Sequence, residues 1–154
     1  MQVSADVLRE LHRIHRQLSD VKDRLQKGPR QVRAGHQALE QTEKEHTAAK
    51  EAVKRTRMEA DEKQLSLRQR EAKIADLQRK LNEAQSNAEF KAFQDQIAAD
   101  KAANAVLEDE ILDRLEKIDE LQKQVHDTEH KLARVREELQ HAEERVAKEQ
   151  TSLH

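Results

Sequence analysis

The sequence predicts an all-α fold, a long antiparallel coiled-coil helical hairpin with a kinked N-terminal helix extension. Three observations carry that reading. Charged residues make up 39% of the 154 residues and hydrophobic ones 35%, with two glycines and one proline, which is the composition of long helices rather than of a packed globule. Apolar residues recur at alternating steps of three and four, the spacing that keeps one stripe facing a partner helix in a left-handed supercoil. Positions that would face one another across a reversal near residue 87 also match in size. A disordered chain would share the high charge but not the spacing.

Helix one, about residues 4–27, is marked by Val7, Leu11, Ile14, Leu18, Val21 and Leu25. Gly28-Pro29 follows, and proline inside a helix removes one backbone donor and crowds the preceding turn. The stripe nevertheless passes from Leu25 through Gly28 to Val32 in phase. A kink within one long helix is therefore favoured over a reversal at that point.

Helix two, about residues 30–85, continues through Val32, Gly35, Leu39, Thr42, His46, Ala49, Val53, Thr56 and Ala60 to Ile74, Leu77, Leu81 and Ala84. A turn is expected at Ser86-Asn87. Ser86 and Glu89 have capping-box spacing, the serine hydroxyl taking one of the orphan backbone donors of a new helix. Helix three, about residues 88–154, then runs from Phe90, Phe93 and Ile97 to Val146 and Leu153. The whole of 1–154 is read as one hairpin domain.

The reversal predicts a register. Ala84 should face Phe90, Leu81 should face Phe93, and Leu77 should face Ile97; Leu67 pairs with Leu107, Thr56 with Ile118, Ala49 with Val125 and Thr42 with Leu132. Small residues of helix two thus meet large ones of helix three, with Gly35 under Leu139. A parallel pair of helix-two segments would set small against small and leave voids, which dense packing disfavours.

Two features of the stripe stand apart. Lys63, Arg70, Asp100, Asn104 and Arg114 are polar residues at seam positions, expected to set the register at some cost in stability, with a partner-docking site as the alternative. At the other end Val21 would face Leu153, while Val7, Leu11, Ile14 and Leu18 have no counterpart in the chain. They are expected to form a self-association stripe, to be covered by a fold-back of helix one, or to have lost their natural mate in a chain cut within helix three.

The chemistry expected is non-enzymatic. There is no glycine-rich phosphate loop or nucleophile elbow, and carboxylates on a solvated helix face lack the burial that would tune them for acid–base work. His126 and His130 are four residues apart, and the register brings His46 level with Thr128, but His126 and His130 flank the seam and read as surface histidines rather than zinc ligands. With 29 basic and 31 acidic residues there is no basic footprint for nucleic acid, and no apolar run approaches the length of a membrane span. No secretory signal is evident and cysteine is absent, so a cytoplasmic protein with no catalytic, cofactor or metal residues is expected.

The segment SNAEFKAFQDQIAADKAANAVLEDEIL, residues 86–112, resembles the turn of bacterial C4-type zinc-ribbon proteins with an N-terminal coiled-coil hairpin. The matching positions are Asn87, Glu89, Phe90, Ala92, Phe93, Ile97 and Leu107 to Leu112. LRELHRIHRQLSDVKDRL and ADEKQLSLRQREAKIADLQRKLN are similar to the first and second helices of that family, so the likeness covers essentially the whole chain. It implies an adaptor or chaperone-like protein whose partner is a sigma factor or a flagellar or type III secretion component. Some members engage RNA instead, and in the family two pairs of cysteines hold zinc in a ribbon beyond the hairpin. This sequence has no cysteine, so zinc binding and any ribbon-dependent nucleic-acid role do not carry over.

The reading is a protein-interaction module whose candidate partner-binding tip is Asn87, Glu89, Phe90 and Phe93. A purely structural spacer or oligomerisation rod is the alternative, and a nucleic-acid-binding protein acting through a missing ribbon is the third.

Overall fold

A computed structural model of the chain describes residues 2–153, with side chains described from 4 to 151. It contains two long helices, α1 (Gln2–Asn82) and α2 (Asn87–Leu153), that pack against each other as an antiparallel helical hairpin. Helices one and two, expected to form one long helix through Gly28-Pro29, are a single element, α1, which continues through both residues. A proline in a helix interior costs about 3 kcal/mol. Close approach of α2 to α1 at Gly28 and Gly35, one before and one after the proline, accompanies the unbroken helix.

Gly28 also has a reason independent of helix breaking. A Cβ added there would stand 2.8 Å from Val146 Cγ2, so the glycine admits the valine of α2 to the seam. The sequence placed Gly28 both beside Pro29 at the expected kink and on the stripe; in the fold it stands on the seam, in close approach to α2.

Two compact units divide the chain, Met1–His46 with Asp127–His154, and Thr47–His126. In the second unit Ile74, Leu77 and Ile97 form a buried cluster on which Leu81 and Phe93 pack. Further from the turn the buried residues are Ala49, Val53, Thr56 and Ala60 on α1, with Asn104, Ile111, Ile118 and Leu121 on α2. Small groups on one helix meet branched ones on the other, as dense packing requires. Thr56 is tolerated there because its hydroxyl donates to Ala52 O at 2.8 Å.

The first unit repeats the arrangement. Thr42, Leu132, Leu139 and Ala142 are buried, and the Thr42 hydroxyl donates to Ala38 O at 2.7 Å. Cross-helix contacts between Gly28 and Val146, Gly35 and Leu139, and His46 and Thr128 all fall in the register expected from the sequence. Leu153, expected opposite Val21, lies outside the side chains described, as does residue 154 at the end of the expected third helix. Every buried residue of both units occupies a position on the expected seam. Among the described residues no helix is long and apolar enough to cross a membrane.

Candidate interaction site

The reversal is short and held by its own backbone. α1 ends at Asn82, earlier than the residue 85 expected, because its last turn tightens. Glu83 N–H donates to Lys80 O and Ala84 N–H to Leu81 O, each at 3.2 Å, satisfying two of the carbonyls that a helix end leaves open. Ser86 then caps α2. Its hydroxyl accepts from Glu89 N–H at 3.1 Å and its carbonyl from Phe90 N–H at 3.0 Å. These are the bonds expected of an N-cap serine, so Asn87, Glu89 and Phe90 stand in the first turn of α2 in a set geometry.

The two phenylalanines part company here. Phe93 is partly buried against Ile74, Leu77 and Ile97 and belongs to the core. Phe90 is 43% exposed. The candidate tip of Asn87, Glu89, Phe90 and Phe93 is thus an exposed group of three residues over a fourth that anchors it.

The polar seam residues also separate. Asn104 is buried, and its Oδ1 has no hydrogen-bond partner. Asp100 lies one turn away, its carboxylate mostly covered; Lys73 Nζ stands 3.5 Å from Oδ2, an ion-pair distance too long for a good hydrogen bond, and that oxygen too is buried without one. Lys63 is half-buried and donates to Glu110 Oε2 at 2.7 Å. That hydrogen bond and the lysine's charge hold the Glu110 carboxyl below its ordinary value.

Arg70 and Arg114, by contrast, are exposed, which corrects their assignment to the core. A guanidinium on a long stem reaches water from a seam position by extending outward. Arg114 there meets Glu59 at 3.2 Å. The covered polar layer on the seam therefore narrows to Asn104 and Asp100, with Lys63 at its edge. The partnerships of Lys63 with Glu110 and Arg114 with Glu59 join seam residues to flanking ones, and a reading confined to seam positions did not find them.

In the first unit the residues proposed for self-association are open to solvent: Val7 at 52%, Leu11 at 57%, Ile14 at 43% and Leu18 at 63% exposure. Leu8, 66% exposed, widens the same face and was not anticipated. Beside Gly35 an open groove is lined by Ala34, Ala38, Val135, Leu139 and Ala142, a consequence of the small residues that α1 contributes.

His46 Nδ1 is engaged with Thr128 Oγ1 at 2.9 Å, and among the described residues no three His, Cys, Asp or Glu side chains gather in a way that would hold a metal. Set against protein-family models, curated proteins and solved structures, the chain matches none.

Proposed function

We propose that the chain is a non-enzymatic protein-interaction module, the coiled-coil arm of a bacterial, cytoplasmic zinc-ribbon adaptor or chaperone-like regulator, and that it engages its protein partner at the turn. The observation that carries this reading is Phe90. It is one of two aromatic residues in the chain, and it stays 43% exposed on a helix start capped by Ser86. Aromatic side chains dominate binding energy at protein interfaces, and a group held in place beforehand loses little freedom on binding. Asn87 and Glu89 beside it supply polar contacts that orient a partner.

The resemblance of residues 86–112 to the turn of the zinc-ribbon family supplies the partner class, a sigma factor or a flagellar or secretion component. Zinc is no part of the role proposed for this arm, since the chain has no cysteine.

A photo-reactive amino acid placed at Asn87, and at Leu65 as a control on the exposed back of α1, tests the reading with purified proteins of those classes. The expected result is an adduct formed from position 87 and not from 65, lost on Phe90→Ala while the melting temperature stays close to wild type. The second reading, a structural spacer, is favoured by the unbroken seam along both helices. Absence of any position-dependent adduct across all partner classes would decide for it.

A further inference from the structure

Leu112 and Leu115 stand 58% and 41% exposed on α2 of the second unit, one turn apart and off the seam. Glu108 and Asp119 bracket them at steps of four, three and four, so one side of the helix reads acid, leucine, leucine, acid. Neither carboxylate has an ion-pair partner among the described residues.

The open groove beside Gly35 in the first unit is the counterpart of this stripe. Its floor of Ala34, Gly35, Ala38 and Ala142 is apolar and leaves room for branched side chains. Arg145 borders one end, where the groove runs on to Arg24 and Lys27. Arg134 stands toward the other end on the same edge of α2, 11 residues from Arg145, or about 16 Å. Glu108 and Asp119 are also 11 residues apart. We propose that a second copy of this chain docks its Glu108–Asp119 stripe in the groove, with Leu112 and Leu115 against the alanines and the two carboxylates on Arg145 and Arg134. The proposal does not involve the tip at Phe90.

Charge favours this side of the first unit. The groove's two edges, Arg24 to Glu45 on α1 and Lys131 to Lys148 on α2 at steps of three and four, carry six cations against Glu45 and Glu138. Glu45 is already held by Lys131, and Glu149 near Gly28 is the one carboxylate of the floor. Arg24, Lys27, Arg134 and Arg145 have no ion-pair partner among the described residues. Across the seam, by contrast, the pairs of His36 with Glu143 and Glu43 with Arg136 join the two helices. The docking stretch is the acidic part of α2: residues 108–120 hold seven carboxylates and two cations. Phosphates of a nucleic acid would answer the arginines but leave the alanine floor without a partner; this stripe answers both.

The same charges set the direction. Glu108 has Asp109 beside it, and Arg145 shares its end of the groove with Arg24 and Lys27. The docked helix therefore runs antiparallel to the α2 beneath it, Glu108 at Arg145 and Asp119 at Arg134. The reverse direction carries Lys123, one turn past Asp119, to the end where Arg24 and Lys27 stand. The contact joins two different surfaces, so association can extend beyond two copies. It engages only about three turns of one helix, well short of a standard interface, and is therefore reversible and dependent on concentration.

Sedimentation equilibrium of the full chain over a concentration series tests the proposal. The apparent mass is expected to rise above 17.9 kDa, and to rise less at high salt. Glu108→Arg and Arg145→Glu should each hold it at the monomer value with an unchanged helical spectrum, because both residues are exposed. Combined in one chain, the two substitutions should restore association, since an arginine of each copy again meets a carboxylate of the next. Glu108→Arg combined with Arg134→Glu should not.

A mass that stays at 17.9 kDa at every concentration overturns the proposal and gives the groove to a helix of a different protein. Association that survives both single substitutions overturns it as well, because another surface then holds the copies together. A Glu108→Arg, Arg145→Glu chain that remains monomeric shows that the two residues do not meet. Rescue by Arg134→Glu in place of Arg145→Glu overturns the direction.

Discussion

Gly35 lies directly under Leu139: a Cβ on the glycine would stand 2.8 Å from Leu139 Cδ1, closer than side-chain atoms pack. The contact joins one of the smallest seam positions of α1 to one of the largest on α2. It therefore reports the register of the hairpin at a single point. Gly35→Leu should overpack this layer and destabilise the hairpin by about 1–3 kcal/mol, even though leucine is the better helix former. Leu139→Ala in the same chain should restore part of the loss. Urea unfolding of the two single variants and the double variant gives the coupling, and strict additivity would mean that the residues do not face each other.

The two phenylalanines should separate cleanly in stability. Phe93 rests on Ile74, Leu77 and Ile97 near the helix end, so Phe93→Ala should cost about 2–3 kcal/mol. Phe90, 43% exposed, should cost less than about 1 kcal/mol when replaced by alanine. Thermal unfolding followed by circular dichroism makes the comparison, and equal losses would contradict the placement of Phe90 in solvent.

Asn104 is buried with its Oδ1 unpaired, so the polar layer is not held for stability. Asn104→Leu removes an unsatisfied acceptor and fills the layer with apolar volume, and a gain of roughly 1 kcal/mol or more is expected. The corresponding loss is specificity, since a polar seam residue selects one register and one partner. Analytical ultracentrifugation of Asn104→Leu should then show additional associated species that the wild type lacks.

The Lys63–Glu110 pair predicts a sign for pH dependence. The Glu110 carboxyl is held below its ordinary value of 4.5, first by the Lys63 hydrogen bond and then by the lysine's charge. A group whose folded pKa is depressed contributes stability that is fully present above its unfolded pKa and is lost as pH falls through the folded one. The contribution should therefore be present at neutral pH and disappear on acidification below about 4.5. Urea midpoints measured from neutral pH downward should fall less steeply in Glu110→Gln than in wild type, by a small margin because the pair is exposed. A steeper fall in the variant would overturn the assignment.

The path from sequence to fold was direct where periodicity and size matching spoke together. The register set by Leu81 with Phe93 and Leu77 with Ile97 needs only seam spacing and one reversal, and the serine cap at Ser86 is a local hydrogen bond that spacing reveals. At Pro29 the in-phase stripe already favoured one long helix, and α1 does run through it. Arg70 and Arg114 were harder: a seam position describes the Cα, whereas a flexible guanidinium chooses its own side.

The sequence by itself determined the all-α hairpin, its register, the cap that starts α2 and the apolar stripe at Val7 to Leu18, because each follows from the helical repeat or from bonds among near neighbours. Only the tertiary structure decided that Phe90 faces solvent while Phe93 joins the core, that Asn104 rather than Arg70 forms the polar layer, and that Gly28 exists for Val146. Those outcomes depend on where a second helix stands and how much space it leaves, which no local spacing encodes.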